Sequence, residues 1–144
     1  MTLCYIKCIS TFLNYKYISS TNIFHSGQPS KIRQIPRSGI EGVSIGQNLT
    51  LEVEILSNPQ PNVTLESWSF IDYNGTLQDY LPDNVNSYIE PGTGRLTIKV
   101  KLTIINTDKS NYGNYTLNTG NRFGNMTPVI LGVAPKGRLI NCHI

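Results

Sequence analysis

Two runs of this chain alternate apolar and polar residues with a period of two, and that period constrains its fold more than anything else in it. In GQNLTLEVEIL, Leu49, Leu51, Val53 and Ile55 share one parity while Thr50, Glu52 and Glu54 take the other. In RLTIKVKLTI, Leu96, Ile98, Val100, Leu102 and Ile104 alternate with Thr97, Lys99, Lys101 and Thr103. Successive side chains of a strand point to opposite faces, so each run predicts a strand with one face on a core and the other in water.

Turn signals separate further runs of the same kind. SNPQPN carries two prolines that deny a sheet its backbone donors, YNGT (Tyr73 to Thr76) holds an Asn-Gly dipeptide suited to a tight hairpin, and EPGTG marks another turn. VTLESWSFIDY, YTLNT and TPVILGVA read as strands, whereas residues 77 to 94 show little pattern. The expectation is an all-β chain, an antiparallel sandwich or barrel of about six or seven strands without a convincing helix. Composition agrees: hydrophobic residues make up only 39% and charged residues 15%, because asparagine, serine, threonine and tyrosine fill so many positions. At 144 residues one core is expected. We place the domain at residues 31–134, with 1–30 as an unstructured or poorly formed N-terminal segment and 135–144 as a C-terminal tail.

Several function classes find no support. Cys4, Cys8 and Cys142 all lie at the extremities, so nothing between residues 9 and 141 can form a disulfide. CYIKC lacks the second pair or nearby histidines of a zinc site, since His25 and His143 are isolated. MTLCYIKCISTFLNYKYISS is a weak signal-peptide candidate: Lys7 and Asn14 interrupt its apolar stretch, and no clear small-x-small cleavage site follows. No apolar run reaches the roughly 18 residues that cross a bilayer, so no membrane span is expected in this chain. The net charge of +3 is small and the basic residues form no block, which argues against a nucleic-acid partner. There is no GxSxG, no HExxH and no phosphate-cradling loop, and nothing pairs Asp72, Asp79, Asp83 and Asp108. Neither catalytic residues nor a metal or cofactor is expected.

The run NYGNYTLNTGNRFG, from Asn111 to Gly124, together with LTIIN ahead of it, resembles the E strand, E–F corner and F strand of immunoglobulin-superfamily domains of the intermediate set (I-set), as in cell-adhesion receptors and titin-like proteins. That family's LxIxNV followed by DxGxYxCxAxNxxG is matched at Leu102, Ile104, Asn106, Gly113, Tyr115, Asn121 and Gly124. Physical reasons stand behind two of these. A tyrosine where a turn enters a strand can bury its ring and send its hydroxyl back to the turn's backbone, and Gly113 leaves room for that turn. NPQPNVTL is similar to the family's link between strands B and C. The resemblance implies an immunoglobulin-like antiparallel Greek-key sandwich of about seven strands. It further implies that Val53 and Leu117 replace the two disulfide cysteines and that Leu65 takes the core tryptophan's place, with Trp68 and Phe70 facing outward. The alternative register makes Trp68 the core tryptophan but turns Glu66 inward beside it. Val53, Leu65, Leu102, Ile104, Tyr115 and Leu117 are the expected core. A disulfide of this kind contributes about 2–4 kcal/mol, which two buried aliphatics recover in part.

Two features bear on function. Sequons occur at Asn48, Asn62, Asn74, Asn114 and Asn125, a modest excess over the roughly two to three that composition alone would give, and they are candidates for N-glycosylation. Trp68, Phe70 and Tyr73, if outward, would form a partner-facing patch, since aromatics are enriched in interface hot spots. The leading expectation is a non-catalytic protein-recognition module of a cell-surface or secreted adhesion or receptor protein, extracellular, with another protein as homophilic or heterophilic partner. The alternatives are an intracellular, cytoplasmic titin-like structural module, which suits the missing disulfide, and a small-ligand carrier on a β-sandwich.

Overall fold

The computed structural model describes residues 31–35 and 39–137. The three cysteines, the signal-peptide candidate and positions 138–144 of the tail lie outside them. In chain order the strands are β1 (Lys31–Ile35), β2 (Ile40–Val43), β3 (Leu49–Leu56), β4 (Trp68–Asp72), β5 (Leu77–Gln78), β6 (Val85–Pro91), β7 (Thr97–Ile104), β8 (Gly113–Leu117), β9 (Gly120–Asn121), β10 (Gly124–Asn125) and β11 (Val129–Pro135). Single 3-10 turns occur at Leu65–Ser67 and Lys109–Asn111.

One sheet has the order β1-β3-β7-β6, the other β2-β11-β8-β4-β5, and β9 with β10 forms a short hairpin of its own. Neighbours such as β3 with β7, or β4 with β8, are far apart in sequence, which is the Greek-key arrangement of an immunoglobulin-like sandwich. Among the described residues every pair is antiparallel except one: β2 runs parallel to β11 along the edge of the five-stranded sheet.

The two alternating runs become β3 and β7, paired from Leu49 opposite Ile104 to Leu56 opposite Thr97. That register puts Leu51, Val53, Ile55, Ile98, Val100, Leu102 and Ile104 on one buried face. Across from them the five-stranded sheet contributes Trp68, Phe70, Tyr115, Leu117, Leu131 and Val133 to the same core. Val53 and Leu117 thus belong to opposite sheets and are both fully enclosed.

Leu65 is not a core residue. It is 48% exposed, while Trp68 is 6% and Phe70 2% exposed, the reverse of the expected assignment. The cause is local. Residues 65–67 form a 3-10 turn ahead of β4, closed by Ser67 donating its N–H to Thr64 O at 3.1 Å, so period-two counting cannot be carried from Leu65 to Trp68. With the turn interposed, Glu66 stays exposed and Trp68 still faces inward. The indole N–H then donates to Ser87 Oγ at 2.9 Å, linking β4 to β6 of the opposite sheet and satisfying the polar atom of the buried ring.

Residues 77–94, patternless as a sequence, contain β5 and β6. Both are edge strands, where one side of the ladder is free and the demand for alternation is weak: β6 keeps Val85 buried, yet Ile89, on the same parity, is exposed.

Tyr115 closes the corner before β8 by donating its hydroxyl to Asn111 O at 2.8 Å, and its ring stacks on Phe70 with centroids 4.5 Å apart. Burial pushes the phenol well above its usual range. Gly113 serves a closer contact than the turn alone. Its φ is +150°, and a Cβ there would sit 2.2 Å from Ile71 O, so only glycine lets β8 meet β4 at this point.

Candidate functional site

The strands that bury Trp68, Phe70, Tyr115 and Leu131 necessarily turn their intervening residues outward. Register aligns these into a row across all five strands: Leu77 opposite Ile71, Ile71 opposite Asn114, Asn114 opposite Gly132, and Gly132 opposite Ile40. Beside it lies a second row, Ser69, Thr116 and Ile130. None of these eight positions holds a charged residue. Leu77 is 64% and Ile71 36% exposed, and Gly132 contributes no side chain between its neighbours. Asn114 Oδ1 is enclosed within the row and accepts no hydrogen bond among the described residues.

The outer face of the other sheet has the opposite chemistry. Lys101 Nζ lies 2.7 Å from Glu90 and 3.8 Å from Glu52, which also faces Lys99 at 3.7 Å, and the same ammonium sits 5.9 Å from the Tyr88 ring centroid. Its hydrogen bond to Glu90 is the main reason that the Lys101 pKa lies above its usual value. Glu54, on the outward side of β3 but buried, accepts from the N–H of Thr93 at 3.0 Å and from the Thr93 hydroxyl, under the turn that joins β6 to β7.

The uncharged face is held in shape at its edge by the turn between β4 and β5. Asp72 Oδ1 accepts from the N–H groups of Asn74 and Thr76 at 2.9 and 3.0 Å, its Oδ2 accepts from Gln78 Nε2 at 2.8 Å, and Gly75 adopts φ +86°. The Asn-Gly dipeptide therefore works with the aspartate before it, in a four-residue loop rather than a two-residue one.

Of the aromatic trio expected on a partner face, only Tyr73 is exposed; Trp68 and Phe70 point into the core. The outward-facing residues of the same strand are Ser69 and Ile71, joined across the sheet by Leu77 and Ile130, and sequence reasoning missed them. The signal was present in WSFID, whose own alternation pairs Ser69 with Ile71 once the preceding LES is recognised as a turn. The sequons divide by position. Asn48, Asn62, Asn74 and Asn125 are exposed, and Asn48 uses Oδ1 to accept the Asn106 N–H at 2.9 Å. Asn114 is half-buried in the middle of the uncharged face.

No family model and no curated protein matches this chain. Among solved structures 94 chains match. One belongs to the crystal structure of Dpr2 Ig1-Ig2 in complex with DIP-Theta Ig1-Ig3, similar with a TM-score of 0.55 at 20% sequence identity, over 74% of this chain and 32% of that one. The present chain thus spans about a third of the length of this neighbour. At that identity the likeness establishes the immunoglobulin-like fold and nothing finer.

Proposed function

We propose that this domain is a non-catalytic protein-recognition module that meets its partner through the uncharged outer face of β2, β11, β8, β4 and β5. The observation that carries the reading is the row from Leu77 to Ile40, uncharged across a whole sheet whose counterpart is laced with ion pairs. Contact with a charged face requires stripping water from each ion, whereas Ile71, Leu77 and Ile130 gain about 25 cal/mol for each Å² of apolar surface they lose to a partner. The paired β2 and β11 edge, and the two sheets ordered β1-β3-β7-β6 and β2-β11-β8-β4-β5, support an I-set assignment. Exposed sequons at Asn48, Asn62, Asn74 and Asn125 support an extracellular adhesion or receptor protein as the parent. The neighbour of known structure, an immunoglobulin-domain pair in a complex with another protein, is consistent with that reading.

A second reading, an intracellular structural module, is favoured by one observation: aliphatic Val53 and Leu117 are enclosed where the resemblance places a disulfide, as suits a reducing compartment. The small-ligand carrier fares worse, because contiguous buried side chains occupy the space between the sheets.

Glycosidase treatment of the natively expressed protein separates the first two readings. A mobility shift supports the extracellular one; a cytosolic fraction with no shift removes it. The binding face is tested with Ile71→Glu and Leu77→Glu, each of which should weaken capture of a protein partner at least about tenfold, or 1.4 kcal/mol, while Lys99→Ala leaves it unchanged. The opposite pattern would move the site to the charged sheet.

A further inference from the structure

One end of the sandwich opens into a cleft of about 950 Å³ beside the turn between β4 and β5. Its lining includes the rings of Tyr73 and Tyr80 and the carboxylates of Asp83 and Asp108, beside the buried Phe70 and the turn-bound Asp72, with no lysine or arginine among the described lining residues. Tyr80 is 86% exposed. Hydrogen bonds from the hydroxyl and N–H of Ser110, at 2.5 and 2.7 Å, hold the Asp108 carboxyl below the usual carboxylate range, so it stays anionic. Such a cleft matches a cation that can also lie on an aromatic face, which describes a guanidinium better than an ammonium.

The same chain presents that group at its other end. β8 runs from Gly113, near the cleft, to Leu117, and the β9–β10 hairpin follows. At the hairpin's turn Arg122 and Phe123 are both exposed, with the guanidinium carbon 4.8 Å from the Phe123 ring centroid. Asn121 braces this turn. Its Oδ1 accepts the Phe123 N–H at 2.9 Å, and its Nδ2 donates to Ser57 Oγ at 3.2 Å and Pro59 O at 3.3 Å, so the tip is ordered before it binds.

We infer that Arg122 at the hairpin tip of one molecule seats in the aromatic and acidic cleft of a second copy of this chain. The guanidinium would exchange its own Phe123 for the cleft tyrosines and gain charge-assisted hydrogen bonds to the aspartates. Tip and cleft lie at opposite ends of the sandwich, so the contact is head-to-tail and, unless a ring closes, extends into open chains. It leaves the uncharged face free and goes beyond the recognition reading above.

Sedimentation of the full chain, in reductant and from about 10 μM to 1 mM, tests the inference. The mean mass should climb above 16.1 kDa with concentration, without a plateau at the dimer, and should fall back in about 1 M salt. Arg122→Asp, with its cleft intact, and the double variant Asp83→Lys with Tyr80→Ala, with its tip intact, should each stay monomeric. All three positions are exposed, and unchanged unfolding midpoints would show that the variants fold. Mixed in equal amounts, the two should form a dimer that grows no further, because only one tip and one cleft remain functional. A wild-type chain that stays monomeric throughout, or a mixture that does, overturns the inference. So does a dimer that persists in Arg122→Asp alone, the signature of self-pairing through the uncharged face.

Discussion

The two outer faces of the sandwich arise from one rule of alternation and end in opposite chemistry. On the four-stranded sheet, Glu52, Lys99, Lys101 and Glu90 occupy the outward positions and satisfy one another. On the five-stranded sheet the equivalent positions hold Ser69, Ile71, Leu77, Asn114, Thr116 and Ile130. A face whose charges are already paired and hydrated resists being covered. One without charges has little hydration to lose, and its exposed isoleucine and leucine gain from being covered. What distinguishes them is therefore the cost of removing water, and it can differ between two sheets that pack against the same core.

The comparison depends on which side of β4 faces the core, and the largest expected effect probes that. Phe70→Ala should lower stability by about 3–5 kcal/mol, whereas Ile71→Ala, one residue along, should cost less than about 1 kcal/mol, both read from urea unfolding midpoints. Equal costs would break the assignment of Ile71 to the outer face.

Next in size is Gly113→Ala. The added methyl group meets the Ile71 carbonyl and forces β8 away from β4, for an expected loss of about 1–3 kcal/mol in the same measurement. No loss would mean that the two strands at the centre of the uncharged face are not in close contact.

Tyr115→Phe removes one buried hydrogen bond and should cost about 1 kcal/mol at pH 7. Its pH dependence is more informative. The phenol's pKa is raised in the folded state, so its contribution is fully present below the unfolded value of about 10 and is lost as pH rises beyond it toward the folded value. The wild-type domain should lose stability above about pH 10, and Tyr115→Phe should flatten that decline. Parallel curves for the two proteins would show that the ring is not sealed between the sheets.

The smallest effect concerns the charged face itself. Lys101→Met should barely move the urea midpoint, and the difference from wild type should vanish in about 1 M salt. A larger, salt-independent cost would mean that this face is a structural element rather than a hydrated surface, and the contrast with its uncharged counterpart would lose its meaning.

Legibility in the sequence followed the strength of local periodicity. β3 and β7 were readable because each is central in its sheet and buries one face along its whole length, so every second residue had to be apolar. The tyrosine corner was readable because a turn, a buried ring and a close strand contact place Gly113 and Tyr115 at set intervals. β6 was not, since an edge strand tolerates an exposed Ile89 and a terminal Pro91. The candidate face was misread for one reason: three residues in a 3-10 turn, Leu65 to Ser67, interrupt a count that assumed continuous extension.

The amino-acid order by itself therefore determined the class of the fold, its two alternating central strands and the corner at Tyr115, because each is a local pattern with one compatible backbone. Which side of β4 meets water, which residues line up across five strands, and which carboxylates share a cleft were decided only by the tertiary structure. Those relations join Leu77 to Ile40 and Asp72 to Asp108 through strand pairing and chain reversal, and no period within a single segment encodes them.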